Sequence, residues 1–210
     1  VPHARAAVPR QLGRLLTHVI DVSASRTVWE AIVFKEAIIM PNTIPANLDD
    51  GMLKTVFVPT IADITKPKVS ELTGSGVLDL SYYLAGDGYQ LNHTQEMIDD
   101  DREGSATVGQ IPGQDKFDGG SMQLIDNTNV DGADNAAVET LTRGTTGFIV
   151  RRRGLPTDTA FAAAQTVSVH KVTIGIKTPV AHAPNQRQMS TISFSADPGS
   201  QDEDVKIVAN

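Results

Sequence analysis

The stretch Asp134–Val150, DNAAVETLTRGTTGFIV, has the order of a short helix, a glycine stop and a buried strand. Asp134 or Asn135 is suited to cap the helix, because a short side-chain oxygen accepts a hydrogen bond from a free N–H of the first turn. Gly144 stands where a left-handed residue ends many helices. The apolar, β-branched segment Phe148–Val150 then predicts a strand. We therefore expect one helix followed directly by a core strand.

Alternating apolar and polar residues on both sides of this stretch predict further strands. They are expected at 55–58, 77–84, 89–98, 106–108, 121–126, 166–178, 186–195 and 205–208. Turns are expected at Gly86–Gly88 and Ile111–Gly113. The strand at 166–178 is expected either to change its buried face near 170–172 or to be two strands joined by a bulge. Many strands with one helix predict a mainly β sandwich or barrel flanked by one α-helix.

Composition narrows the class of protein. The 210 residues are 40% apolar and 20% charged, which is typical of a globular chain. No cysteine is present, so disulfides, thiolate zinc sites and cysteine nucleophiles are excluded. The formal net charge of −7 is unfavourable for general nucleic-acid binding, which depends on basic residues that neutralise phosphates. The apolar runs are too short to predict a membrane-spanning helix.

Residues 1–51 differ from the remainder. Residues 1–39 contain five basic and three acidic side chains. Gln11–Val22 fits an amphipathic helix, and residues 27–39 fit helix or strand equally well. A polar linker rich in Pro, Asn and Asp follows Met40. We expect residues 1–51 to be an extension and residues 52–210 the β domain. The extension is either the product of a misplaced gene start or an arm that docks on a neighbouring subunit.

Local motifs for catalysis and for metal binding are missing. No two of the five histidines have the spacing of paired zinc ligands. The segment that begins at Asn127 is similar to a calcium loop, but its twelfth residue is Val138, where a bidentate carboxylate is needed. The acidic run Asp99–Asp101 with Glu103 is interpreted as a solvated loop, with a cation site as the alternative. No nucleophile elbow, P-loop or dinucleotide fingerprint occurs. We predict no catalytic, cofactor-binding or metal-binding residues.

The basic run Arg151–Arg153 follows the core strand. Successive residues of a strand point to opposite faces, so the three side chains cannot form one phosphate-binding patch. Charge that protects an edge strand, or pairing with acid on a neighbouring subunit, explains the run better.

The order of several short motifs resembles the tail tube (major tail) proteins of long-tailed, siphovirus-type actinobacterial phages. The resemblance begins with TVFVPTIADIT at 55–65, followed by Glu71-Leu72 and a strand flanked by glycines. It continues with Ile111-Pro112-Gly113, the strand at 121–126, the acidic helix and GTTGFIV at 144–150. The final strands, with VSV at 167–169 and ISF at 192–194, extend the resemblance over residues 53–209.

This resemblance implies a structural virion protein without cofactors that forms stacked hexameric rings. The rings would make a tube lined by continuous β-sheet, through which genome DNA passes without specific binding. Tail terminator, tape-measure and tail-tip proteins would be its partners, with assembly in the host cytoplasm and no membrane. Candidate subunit contacts are Arg151, Arg152, Arg153, Ile111, Pro112 and Gly113, with 108–118 and the N-terminal arm as candidates for ring-to-ring contacts.

Other functions fit the same residues. A β-sandwich that decorates a phage particle, or that binds a partner without forming a tube, would stay a monomer or a discrete oligomer. The inner tube of a contractile tail shares the wall design and differs in its sheath partner. A small-ligand barrel or a hydrolase would need a pocket with converging polar groups.

Overall fold

A computed structural model describes residues 46, 48–130 and 132–210. Its strands in chain order are β1 (Leu53–Val58), β2 (Leu78–Asp79), β3 (Leu84–Asp100), β4 (Gly109–Ile125), β5 (Thr146–Arg153), β6 (Thr166–Pro179) and β7 (Met189–Lys206). Two short helices are α1 (Val69–Thr73) and α2 (Ala136–Thr140), and a 3₁₀ turn at Gly132–Asn135 precedes α2. Strand far outweighs helix, which confirms the mainly β prediction. The segments considered at 11–22 and 27–39 lie outside the described residues.

All seven strands belong to one antiparallel sheet with the order β2-β1-β5-β6-β7-β4-β3. The strand predicted from Phe148–Val150 is β5, which lies between β1 and β6. Its three apolar residues are 0–9% exposed. Their β-branched or aromatic side chains suit a strand that is covered on both faces.

The sheet curls strongly enough that distant strands meet. β3 and β5 are four positions apart in the sheet, which is about 19 Å in a flat sheet. Yet the guanidinium carbon of Arg151 on β5 lies 4.2 Å from the ring centroid of Tyr89 on β3. This contact requires a partly closed barrel, and it identifies the face that carries Tyr89 and Arg151 as the concave one.

Each face of the curled sheet has its own core. The concave cluster consists of Phe57, Leu80, Met122, Leu124, Ala137, Leu141, Ile149, Val172, Ile174, Ile192 and Phe194. The convex cluster consists of Val56, Val58, Ile61, Leu72, Phe148, Val150, Phe161, Val167, Val169, Val205 and Ile207. Helix α2 covers the concave face, and α1 with the loop after β5 covers the convex face. The short helices are therefore stabilised by packing, because five residues are too few for a stable isolated helix.

Strand β6 serves both cores in turn. Val167 and Val169 are buried in the convex cluster, whereas Val172 and Ile174 are buried in the concave one. The buried side changes from odd to even residues between Val169 and His170 without a break in the strand. The first alternative in the sequence analysis, one strand with an exchanged buried face, is confirmed.

The structure corrects several local predictions. The segment 77–84 does not pair with 89–98, since β2 has only two residues and pairs with β1. The supposed turn at Gly86–Gly88 is an irregularity inside β3. Ile111–Gly113 is not a turn but part of β4. Partner choice, which local alternation does not encode, decided these cases.

The helix signals were only partly interpreted correctly. Two short helices are present where one was expected. The side chain of Asn135 makes no cap bond and instead accepts a hydrogen bond from the backbone N–H of Asn127. Gly144 does have a positive φ of 88°, but it lies four residues beyond the end of α2, in the turn before β5.

Candidate interaction surfaces

The outer half of the β3–β4 hairpin extends beyond the rest of the sheet. β4 pairs with β7 only over Gly120–Ile125, so residues 109–119 pair with β3 alone. Side chains at 92–99 and 101–112 are all exposed. A two-stranded ribbon of this kind buries no core of its own, and its surface is open to a partner.

Exposed apolar side chains lie on this ribbon. They are Met97 (56% exposed), Ile98 (53%), Val108 (65%) and Ile111 (47%). Ile98 lies opposite Ile111, and Met97 lies opposite Pro112. The structure thus brings the predicted contact residues Ile111, Pro112 and Gly113 together with Met97 and Ile98, which the sequence analysis did not select. Clustered apolar side chains on an exposed ribbon are typical of an interaction surface.

The far edge of β3 is a second open surface. β3 is the outermost strand, and within the described residues no strand pairs with its other side. It is 17 residues long, whereas β2 at the opposite edge has two residues. A long unpaired edge presents N–H and C=O groups that can pair with a strand of another chain.

The basic run lies elsewhere than expected. Arg151–Arg153 belong to β5, which has a neighbour on each side, so the edge-strand interpretation was wrong. The alternation of faces is as predicted. Arg152 points to the convex side and is 1% exposed, while the side chain of Arg153 is 75% exposed, 3.9 Å from a carboxylate oxygen of Asp49.

Arg152 has an internal role in this chain. Its Nη2 donates to the carbonyl oxygen of Pro156 at 2.7 Å, and its Nη1 donates to that of Thr159 at 2.8 Å. Longer bonds at 3.3 Å reach Ala160 and Gln165. These bonds hold the loop that follows β5 against the sheet. Arg152 is therefore inaccessible to a neighbouring subunit, unlike Arg153.

A polar groove of about 500 Å³ opens between β3 and the ends of β5 and β6. It is lined by Tyr89, Gln90, Leu91, Asn92, His93, Arg151, Arg153, Ser168, His170 and Glu203. Sequence analysis missed this convergence because the residues come from four strands. The only available signal was parity, which places Arg151, Arg153 and His170 on the concave face.

Two histidines flank Phe117 at the base of the hairpin. The ring of His93 stacks on Phe117 with centroids 3.9 Å apart, and its Nε2 lies 3.3 Å from Asp115 Oδ2. His170 is 4% exposed, and its Nδ1 lies 2.9 Å from Gln201 Oε1. Burial lowers the pKa of His170, although the Gln201 bond and the charge of Glu203 act the other way. His170 is therefore held neutral.

A second pocket, of about 450 Å³, lies under the loop between β6 and β7. On its floor, Asp126 accepts hydrogen bonds from Ser190 Oγ at 2.6 Å and Lys177 Nζ at 3.0 Å. Burial alone would raise the pKa of Asp126, but these bonds and one from Thr128 outweigh it and lower the pKa below its usual value. The carboxylate is fully engaged, which indicates a structural role.

Neither metal-site geometry nor a membrane helix occurs in the part of the chain that the structure describes. There, no three His, Asp or Glu side chains are placed to hold a metal ion. None of the helices described is long and apolar enough to span a membrane.

Comparisons with known proteins agree with the resemblance seen in the sequence. The sequence model of a family described as phage tail tube protein matches residues 40–209. No curated protein sequence matches significantly. Among solved structures, a chain in the cryo-EM structure of the anti-feeding prophage baseplate, 6-fold symmetrised, is similar with a TM-score of 0.43 and 11% identity. That match covers 74% of this chain and 93% of the other, and a TM-score at this level does not establish a shared fold. The family match spans most of the sequence, and the chain therefore belongs to the phage tail tube protein family, the structural proteins of phage tails.

Proposed function

We propose that this chain polymerises as stacked hexameric rings to form the tail tube of a long-tailed phage, the conduit for its genome DNA. The observation that carries the proposal is the unpaired 17-residue edge of β3. An open sheet edge in every subunit allows a head-to-tail contact that closes into a ring. Strand pairing between subunits would then make the wall one continuous sheet.

The protruding hairpin supplies a direction for stacking. Its apolar residues, including Met97, Ile98 and Ile111, are exposed in the single chain and would be covered by the next ring. We propose Ile111, Pro112, Gly113, Arg151 and Arg153 as subunit contacts and remove Arg152, which is buried. The net charge of −7 suits a passage for DNA, because an acidic wall does not retain phosphates.

The resemblance in sequence also supports the finer points of the proposal. These are a non-contractile tail of an actinobacterial phage, assembly in the host cytoplasm, and partnership with terminator, tape-measure and tail-tip proteins. A sheath gene beside this one would instead indicate a contractile tail.

Negative-stain electron microscopy of the purified protein tests the proposal. Both the full chain and a chain that starts at Met40 are examined, alone and with a tail-tip initiator. Rings or tubes with a central hole are expected. Tubes from the Met40 form alone would identify residues 1–39 as an artefact or an obstruction. Dispersed monomers from both forms, even with the initiator, would favour a decoration or partner-binding protein.

A further inference from the structure

Arg151 is a half-buried cation without a carboxylate partner among the described residues. Its Nε donates to Thr55 Oγ1 at 3.3 Å, and its guanidinium group stacks on the Tyr89 ring. No carboxylate oxygen of the described chain lies within 4.0 Å of it. A partly desolvated charge is stabilised when an opposite charge is brought to it.

The surroundings of Arg151 also favour a carboxylate ligand. Arg153 lies on the same face two residues along, and its nearest carboxylate, Asp49, is at the limit of an ion pair at 3.9 Å. The buried Tyr89 hydroxyl has no hydrogen-bond partner in the structure. Burial raises the pKa of Tyr89 to about 12, so the hydroxyl keeps its proton and remains a donor. Glu203 is the one acidic side chain that lines the groove, and it lies 3.9 Å from His93.

The complementary charge lies at the tip of the β3–β4 hairpin. Four acidic residues, Asp99, Asp100, Asp101 and Glu103, surround one basic residue, Arg102. Arg102 pairs with Asp100 at 2.8 Å, and Asp99 accepts a bond from Gln110. Asp101 and Glu103 are exposed, and among the described residues neither has an ion-pair partner. The tip therefore presents two free carboxylates.

The tip cannot reach the groove of its own chain. His93 lines the groove, and Asp101 follows it by eight residues along an extended ribbon, which is about 26 Å. A contact between tip and groove must therefore join two copies. The two surfaces are different, so the contact is head-to-tail and repeats from copy to copy.

We propose that the hairpin tip of one copy binds in the groove of the next copy, where Asp101 and Glu103 pair with Arg151 and Arg153. Guanidinium and carboxylate groups form short, charge-assisted hydrogen bonds with defined geometry. This contact specifies the proposed stacking of rings and rests on that function. It names the partner of the basic residues as the acidic tip of a second copy.

Charge reversal tests the pairing. Arg153→Glu removes an exposed cation, so it leaves the fold intact, and Asp101→Lys with Glu103→Lys reverses the tip. Each variant alone is expected to raise the protein concentration needed for tube growth by about tenfold or more. A mixture of the two variants should recover growth, because each reversed tip then meets a reversed groove. The matched controls are Arg143→Glu and Glu139→Lys, which make equal charge changes on other exposed residues.

Two results would overturn the pairing while the tube itself stands. One is tube growth by Arg153→Glu at the concentration that the wild type needs. The other is a mixture no better than its components, with melting curves that show both variants folded. Loss of growth in the control variants as well would indicate a general charge effect and would also reject the pairing.

Cross-linking tests the contact even if no tube forms. The chain has no cysteine, so Gly104→Cys at the tip and Gln90→Cys at the groove rim introduce the only thiols. With a bis-maleimide reagent, the double variant should give a ladder of covalent oligomers and each single variant no more than dimers. A ladder without tubes would support the contact against the proposed tube. Tubes without a ladder would support the tube against the contact.

Discussion

Arg152 shows how a charged side chain can occupy a core position. It is 1% exposed and lies over the Phe161 ring, with its guanidinium carbon 5.3 Å from the ring centroid. Backbone carbonyl oxygens, rather than a carboxylate, accept its hydrogen bonds. A planar fork of donors suits several carbonyl groups at once, which a lysine ammonium cannot match.

Replacement of Arg152 tests this role. Arg152→Leu should lower the free energy of unfolding by about 3 kcal/mol, because the carbonyl groups of the loop remain buried without donors. Urea unfolding followed by circular dichroism measures the change. Arg153→Gln is the matched control and should change stability by less than about 0.5 kcal/mol. Equal effects of the two substitutions would contradict the assignment of Arg152 to the core.

His170 gives the protein a pH dependence of known sign. Its pKa in the folded protein is below the ordinary value of 6.5, so the unfolded chain binds the proton more readily. Stability is therefore complete above about pH 6.5 and falls as the pH drops towards the folded pKa, by at most about 1.4 kcal/mol per pH unit. The groups that face His170 are Gln201, Glu203, Arg151 and His93.

A comparison of wild type with His170→Gln measures this term. Between about pH 7.5 and pH 5, the variant should lose less stability than the wild type, since glutamine does not titrate. Chemical unfolding at each pH gives both slopes. Identical slopes would show that His170 is not held neutral. Asp126 acts in a lower window, because its depressed pKa makes its contribution fall away only below its ordinary value of 3.8.

At the scale of elements, the outer hairpin is separable from the fold. No side chain between Gln95 and Asp115 is buried, and neither core cluster includes one. Thr94 and Lys116 lie opposite each other, so a two-residue Asn-Gly turn can join them. The hairpin therefore contributes to assembly rather than to the stability of the barrel.

Excision of Gln95–Asp115 with this turn is expected to change the free energy of unfolding by less than about 1 kcal/mol. It should also abolish tube growth, as seen by electron microscopy. Tubes of normal length from the excised chain would refute the assembly role. Deletion of Gly109–Lys116 alone is a less suitable test, because it leaves the β3 arm without its partner strand.

On the scale of the whole molecule, the two cores define what must fold together. Residues 45–210 form a compact unit, and every member of both clusters lies between residues 56 and 207. The family match begins close to this unit, at residue 40. The barrel thus contains its own sources of stability.

A chain that begins at Pro45 should fold as well as the full chain. Its thermal midpoint is expected within about 2 °C of the full-length value, because no residue of either core is removed. Differential scanning calorimetry of both chains makes the comparison. A fall of more than about 5 °C would show that residues 1–44 contribute to the stability of the barrel.

The sequence by itself determined the local pattern. Alternation and β-branching located β5, β6 and the start of β7, and parity placed Arg152 on the face opposite Arg151 and Arg153. The exchange of buried faces near His170 was also readable, because a strand has a period of two whatever its neighbours are. The order of short motifs was enough to indicate the family.

Only the tertiary structure decided which strands are neighbours. It placed the arginine run in the middle of the sheet, extended 84–100 and 109–125 into a hairpin, and brought His93, His170, Arg151 and Glu203 to one groove. Strand pairing joins residues far apart in the chain, and the burial of two opposite faces selects it. Local periodicity gives the same signal for an edge strand and for a central one, so the open edge and the groove emerged only when the sheet had curled.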